Sequence, residues 1–236
     1  MIDCHCHFDM MDNPEGVIAQ MDRLGHTVIG MTNRPCYFRE GIKHVKPLKK
    51  IRLALGLHPL YLDFLDRDLK EFSDLVDQTS YIGEIGLDFS LEGKKTKEKQ
   101  IGCLEEILSM LSDKNKILSI HTRQAERTAM DLLDLFYQEN VIFHWYSGSS
   151  ELIPEIVEHG YYFSINEAML CSNKGCELIR QMPRHRVLTE SDAPYNKKSD
   201  INKAIAGLAK IWNMSNQEVC LIIERNFMTL LKGLYI

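Results

Sequence analysis

The chain has 236 residues, of which 44% are hydrophobic and 26% charged, ordinary values for a globular protein that exclude collagen-like, low-complexity and disordered classes. Its net charge of −5 offers no global attraction for a phosphate backbone, so a nucleic-acid substrate would need local charge to hold it. The length suits one α/β barrel, so residues 1–236 are read as a single domain, and no apolar run approaches the ~18 residues of a membrane span.

In chain order, β-prone apolar runs alternate with segments of helical period. Met1–Cys4 precedes a helix over Pro14–Leu24, Thr27–Met31 precedes Arg39–Lys46, and Ile51–Leu57 precedes Asp66–Gln78. Tyr81–Leu87 leads to Lys95–Ser112, Ile117–Ile120 to Ala125–Gln138, Val141–Phe143 to Ser150–Glu158, and Tyr161–Ile165 to Gly175–Met182. An eighth strand, Arg186–Thr189, is followed by Ile201–Trp212, Gln217–Arg225 and a short piece to Leu231. Strict alternation with short, continuous apolar strands is the pattern of buried parallel strands joined by helical crossovers. Eight repeats predict closure into a (β/α)8 TIM barrel. The rival, a doubly wound open sheet, lacks its Gly-x-Gly-x-x-Gly turn after the first strand. The seven cysteines are odd in number and scattered, and no basic segment followed by an apolar run opens the chain, so a reduced, cytoplasmic setting is expected.

The opening stretch DCHCHFD, residues 3–9, interleaves two candidate metal-binding pairs. On a strand, side chains alternate faces, so His5 and His7 point one way and Cys4, Cys6 and Phe8 the other. A thiolate site needs further ligands at short spacings, and no C-x-x-C occurs, which favours the histidines. Other metal-type residues fall at strand ends: His58 just past strand 3, Glu84 in strand 4, His121 and His144 closing strands 5 and 6, and Asp192 following strand 8. Each has a bland reading, as a hydrogen-bonded core histidine, a barrel ion-pair partner or a loop cap before Pro194. Together they cluster toward strand C-termini, the end of a barrel where active sites are built. Imidazoles with carboxylates suit zinc or manganese, and carboxylates with water suit magnesium, so the set does not select one ion.

Asp3-Cys4-His5-Cys6-His7-Phe8-Asp9, Gly56-Leu57-His58-Pro59, Gly83-Glu84-Ile85-Gly86-Leu87-Asp88, Ile120-His121-Thr122-Arg123-Gln124-Ala125, His144-Trp145-Tyr146-Ser147-Gly148 and Thr189-Glu190-Ser191-Asp192-Ala193-Pro194 follow one another in that order. They resemble the successive motifs of the TatD-type metal-dependent deoxyribonucleases, amidohydrolase-like barrels in which a strand-4 glutamate bridges two metals. Asn226 resembles that family's C-terminal asparagine. The resemblance implies one divalent ion held by His5, His7, Glu84 and Asp192 and a second by Glu84, His121 and His144. It also implies His58 and Glu190 as catalytic or supporting residues and Arg123 as a phosphate contact. Cys4 and Cys6 are then expected to face away and pack as small apolar groups between barrel and helices. Two ions (Mg, Mn or Zn) ~3.5–4 Å apart can stabilise both the attacking and leaving oxygens of an in-line displacement. Asp192 could orient the water and take its proton, and Arg123 could neutralise a non-bridging oxygen.

The chain departs from the family at HWYSG, where HCFSG-like residues are usual, and at YNKKSDINKA after strand 8, where Arg, Asn and Pro are usual. Trp145 and Tyr146 read either as a stacking face for a nucleobase or as core. Lys94, Lys95, Lys97 and Lys99 read as a DNA track or as a solvated loop. The family resemblance implies DNA as substrate, cleaved 3′ to 5′ from single-stranded or frayed ends. The departures, with Ala168-Met169-Leu170 and Gln181-Met182-Pro183-Arg184, resemble the TatD-like protein of Qat anti-phage defence operons. That branch implies antiviral defence alongside an ATPase, a QueC-like protein and a small subunit. Two rivals stand beside this reading: an amide or ester hydrolase such as a misacylated-tRNA deacylase, and a metal-stabilised subunit without turnover. In the tail, Ile201, Ile205, Leu208, Ile211, Trp212, Leu221, Ile222 and Phe227 are spaced to close the barrel or, in part, to dock a partner.

Overall fold

A computed structural model describes residues 1–195 and 200–235. Residues 196–199, within the YNKKSDINKA stretch, and Ile236 lie outside the described residues. β1 (Ile2–Cys6), β2 (Thr27–Gly30) and β3 (Ile51–Leu53) pair in parallel in that order, as do β4 (Tyr81–Asp88), β5 (Ile117–Arg123), β6 (Val141–His144), β7 (Tyr162–Ile165) and β8 (Val187–Thr189). Two seams join these sheets. After β3, the Leu55 amide donates to the Tyr81 carbonyl at 3.0 Å and the Gly83 amide to the Leu55 carbonyl at 2.9 Å. Beyond β8, the Asp192 amide donates to the His5 carbonyl at 2.9 Å, and the Thr189 hydroxyl donates to the Ile2 carbonyl at 2.6 Å. The ring is therefore closed, and the fold is a (β/α)8 barrel.

The crossovers are α1 (Pro14–Arg23), α2 (Pro35–Val45), α3 (Leu65–Leu75), α4 (Lys97–Leu111), α5 (Glu126–Leu135), α6 (Ile153–Glu158), α7 (Glu167–Leu170) and α8 (Asn173–Gln181), with α9 (Ile201–Trp212) and α10 (Asn216–Lys232) after β8. Local chemistry sets several starts. The Asn13 side chain caps α1, Ser172 caps α8, and Ser215 with Glu218 forms a capping box at α10. Periodicity alone starts the second helix at Arg39. It begins instead at Pro35, whose fixed φ and missing N–H suit a first turn. α10 runs unbroken where spacing suggested two pieces, and Ile205, Leu208, Trp212 and Phe227 of the tail are buried in the core. Asn226 donates to the Arg184 and Val187 carbonyls, both at 2.7 Å, and ties α10 to the start of β8.

Strict alternation fails in β1. Its pairing with β2 shifts register between Asp3 and Cys6, and Cys4 lines a small buried cavity with Ile29, Ile82, Ile117 and Ile142. Those four come from β2, β4, β5 and β6, which meet only inside the barrel. Cys4 thus lies on the barrel floor and not between barrel and helices; the irregular register lets it and its neighbour His5 both face inward. Cys6 sits 3.8 Å from the Ala193 carbonyl oxygen.

Candidate metal centre

Glu84 of β4 is buried at the C-terminal end of the barrel, and its two carboxylate oxygens face different partners. Oε2 lies 3.2 Å from His7 Nε2 and 3.7 Å from His5 Nε2. Oε1 lies 2.7 Å from His121 Nδ1, 2.9 Å from His144 Nε2 and 3.6 Å from His58 Nε2. Asp192 Oδ1 joins the first side, 3.7 Å from His5 Nε2 and 3.8 Å from His7 Nε2. The structure therefore brings together all six candidate ligands read from the sequence, with His58 beside them. His144 also stacks on His5, ring centroids 3.9 Å apart, and so stands between the two sides.

Backbone chemistry permits this convergence. Gly86 has φ +138°, and a Cβ there would meet the His121 carbonyl oxygen at 2.1 Å, so only glycine lets β4 approach β5 at this level. Asp192 and Trp145 sit at φ +50° and +40°. The left-handed region is tolerable for aspartate and strained for a bulky residue, and such strain concentrates at functional sites.

The donors fit a cation. Candidate ligand groups are His5, His7 and Glu84; His5, His144 and Asp192; and His58, Glu84 and His121, each with its donor atoms within 4.8 Å of one another. His5 Nε2 and His7 Nε2 are 3.2 Å apart. Two ligands each ~2.1 Å from one tetrahedral ion would stand ~3.4 Å apart. Outer nitrogens are held as metal-binding imidazoles usually are: His5 Nδ1 lies 2.8 Å from Ser119 Oγ, and His121 Nε2 lies 3.0 Å from Asp88 Oδ2. Behind His144, Glu190 Oε2 is 3.6 Å from Nδ1. Glu190 itself is buried and accepts from Ser164 Oγ and Asn166 Nδ2, so it supports His144 from outside the cluster.

Asp88 escaped the sequence reading, although it lies four residues after Glu84 on one strand and hence shares its face. Burial pushes its carboxyl up, but the His121 and Ser90 hydrogen bonds outweigh that and hold it at about 2. Gln100 fixes the strand end by accepting from the Asp88 amide at 2.7 Å. His58 differs from its neighbours. The Leu60 amide donates to its Nδ1 at 3.1 Å, so the neutral ring carries its proton on Nε2 and presents a donor toward Glu84. Burial holds that ring neutral, at about 4. Burial also pushes Asp192 up to about 7, whereas for Glu84 the His58 and His144 imidazoles outweigh burial and keep the carboxyl well below its ordinary range.

A cavity of about 520 Å³ opens over the cluster. Glu84, Asp88, His58, His121, His144 and Asp192 line it, whereas His5 and His7 do not. Arg123 and Trp145 stand on its walls, Arg123 being exposed and 3.8 Å from Glu92. Tyr146 is core, its hydroxyl donating to the Ser149 carbonyl at 2.6 Å. None of the four lysines lines the cavity: Lys97 lies over the Phe89 ring and Lys99 donates to the Leu62 carbonyl.

Among the described residues no helix is long and apolar enough to cross a membrane. Residues 2–232 match the family model of TatD related DNases. A metal-dependent hydrolase of Methanocaldococcus jannaschii is 28% identical, over 95% of this chain and 94% of its own. The deoxyribonuclease TATDN3 of Homo sapiens is 24% identical, over 98% and 94%. Among solved structures, the TatD homologue YjjV of Escherichia coli shares the fold with a TM-score of 0.87, at 23% identity and over 98% of this chain and 97% of that one. A barrel closed by these strands, with this cluster at its C-terminal end and a family match over nearly its whole length, belongs to the TatD family of metal-dependent hydrolases.

Proposed function

We propose that the chain hydrolyses DNA phosphodiester bonds with two divalent ions, Mg, Mn or Zn, removing nucleotides 3′ to 5′ from single-stranded or frayed ends. The observation that carries this reading is Glu84, with Oε2 toward His5 and His7 and Oε1 toward His121 and His144, the disposition of a carboxylate shared by two ions. Two bound ions would supply Lewis-acid stabilisation of phosphoryl oxygens and a water acidic enough to attack near neutral pH. The chain's own groups position and move protons. Asp192, buried beside His5 and His7, takes the proton of the attacking water. His58, with its proton on Nε2, donates a hydrogen bond to a substrate oxygen. Arg123 binds a non-bridging phosphate oxygen. The name deoxyribonuclease carried by the Homo sapiens relative supports DNA over an amide or ester. A concave mouth also suits a flexible strand end better than the middle of a duplex.

We place this activity in anti-phage defence, as the hydrolytic subunit of a complex with an ATPase, a QueC-like protein and a small subunit. The support is the likeness of the HWYSG, AML and QMPR stretches to that branch. Metal-supplemented digestion of end-labelled single-stranded, duplex and closed circular DNA, beside an aminoacylated tRNA, tests the reaction. Progressive shortening from the 3′ end is expected. Internal nicking of the circle without shortening of linear strands, or turnover of the ester alone, overturns it. Co-purification with the neighbouring operon products tests the setting, and the expected result is that Glu84→Gln abolishes defence while leaving the complex intact.

A further inference from the structure

Above the metal centre the barrel mouth has two unlike arcs. On one, formed after β8, β2 and β3, two tyrosines stand over the histidines. The Tyr195 ring meets His7 edge to face at 4.9 Å, and the Tyr61 ring meets His58 at 5.6 Å, with interplanar angles of 89° and 90°. Buried Asn33 donates to the Tyr195 hydroxyl at 2.9 Å. On the other arc, after β5 and β6, stand Arg123 and Trp145, the latter at φ +40°. Tyr61, Tyr195, Trp145 and Arg123 all line the one cavity of about 520 Å³. Arg123 is the only Lys or Arg among the described lining residues, and Glu92 lies 3.8 Å from it.

Holding a strand by its phosphates takes a row of cations, whereas holding it by a base takes π faces fixed in place. Among the described residues, the lining of this mouth has one cation and three aromatic rings. We propose that Tyr61, Tyr195 and Trp145 clamp one unpaired nucleobase over the metal centre, so that stacking on these rings selects unpaired strand ends. The proposal rests on the reading of DNA as substrate and names how this site recognises it. The Tyr195 hydroxyl accepts from Asn33 and is not free to read a base edge, so the clamp is tolerant of base identity. A paired base inside a duplex has both faces covered by its neighbours and does not enter.

The chain has two tryptophans, and Trp212 is buried in α9, so in Trp212→Phe protein the fluorescence reports Trp145 alone. The magnesium-loaded variant is mixed with a single-stranded oligodeoxynucleotide, or with the same strand ending in an abasic residue at either terminus, and read before turnover. The intact strand should quench Trp145, and the abasic end should weaken binding by on the order of tenfold, the loss of one stacked base. Tyr195→Leu should weaken binding of the intact strand by a similar factor and leave the abasic-ended strand unchanged, and Tyr195→Phe should restore wild-type binding. In the unmodified protein, the abasic end should raise KM about tenfold with kcat nearly unchanged. Equal binding of intact and abasic-ended strands, or equal weakening of both by Tyr195→Leu, overturns the clamp even if DNA is shortened. Quenching by the intact strand without hydrolysis under any divalent metal leaves the clamp standing and overturns the proposed reaction.

Discussion

The two sides of Glu84 are built differently. His5 and His7 come from one strand and its immediate extension, are fully buried and stay off the cavity wall. His58, His121 and His144 come from three separate strand ends, and all line the cavity. The buried side depends on the course of one strand, with Asp192 carried in by the seam between β8 and β1. The open side exists only when β4, β5 and β6 lie in register, and it leans on carboxylates behind its rings, Asp88 at His121 and Glu190 at His144. A sheltered side suits an ion that stays, and an open side suits an ion that meets substrate.

The largest effect should follow from removing what both sides share. Glu84→Gln keeps the shape and removes the charge, and is expected to lower DNA hydrolysis on the order of a thousandfold and reduce metal content on both sides. Elemental analysis and a digestion assay check this; near-normal values in both would sink the two-ion assignment. Stripping the metal with a chelator tests the same point through stability. An ion present at ~1,000 times its Kd contributes about 4 kcal/mol. A chain of this size shifts Tm by ~2–4 °C per kcal/mol, so calorimetry should show a fall of roughly 8–16 °C.

The barrel and the placement of the candidate ligands were legible because they rest on strand alternation and on residue types recurring at strand ends. What escaped depends on tertiary contacts. His58 is distinguished from its neighbours by one backbone donor, the Leu60 amide, which no residue type announces. Cys4 was misplaced because alternation assumes regular pairing, and the extra residue that β1 carries between Asp3 and Cys6 shows only against β2. Tyr61 and Tyr195 lie far apart in sequence in segments without periodicity, and they line one cavity only through ring closure. Trp145 and Tyr146, ambiguous as a pair, separate once the turn at φ +40° sends one to the cavity and the other to the core. Helix α7, capped by Asn166 and four residues long, is too short for its period to register.

Asp88→Asn should separate the two sides. It keeps the shape behind His121 and removes the charge that orients it, so the open-side ion should bind ~10–100-fold more weakly while the buried-side ion is unaffected. Metal titration checks this, and equal weakening of both ions would show that the sides act as one. A smaller difference should appear with pH. Burial pushes both rings down, but carboxylates outweigh it: Asp88 and Glu84 raise His121, and Glu84 and Glu190 raise His144 well above its usual range. Burial instead keeps His5 well below its usual range. In the metal-free protein the open side therefore holds two ring protons that an ion must displace, whereas on the buried side His5 holds none and Asp192, raised to about 7, holds one. As pH falls through those raised values, affinity should drop on both sides and more steeply on the open side, by up to about tenfold per unit for each proton displaced. Parallel slopes for the two ions would break the comparison.

The smallest effect is expected beneath the buried side. Burial pushes the Cys4 thiol well above its ordinary range, so it is a poor thiolate donor. It lines an isoleucine-walled cavity on the barrel floor, next in sequence to His5. Cys4→Ser places a hydroxyl in that apolar space and should cost about 1 kcal/mol, a Tm drop of ~2–4 °C, with metal content and kcat unchanged. Cys6→Ser should cost less, because the Ala193 carbonyl oxygen 3.8 Å from the sulfur offers an acceptor. Calorimetry paired with elemental analysis separates packing from ligation. If Cys4→Ser lost metal while His5→Ala and His7→Ala kept it, the thiolates would be the ligands and the buried side would have been assigned to the wrong pair. If metal stayed but hydrolysis fell with stability, the floor would be shown to position the His5 ring, because a packing change under a ligand moves its imidazole without removing its nitrogen from the ion.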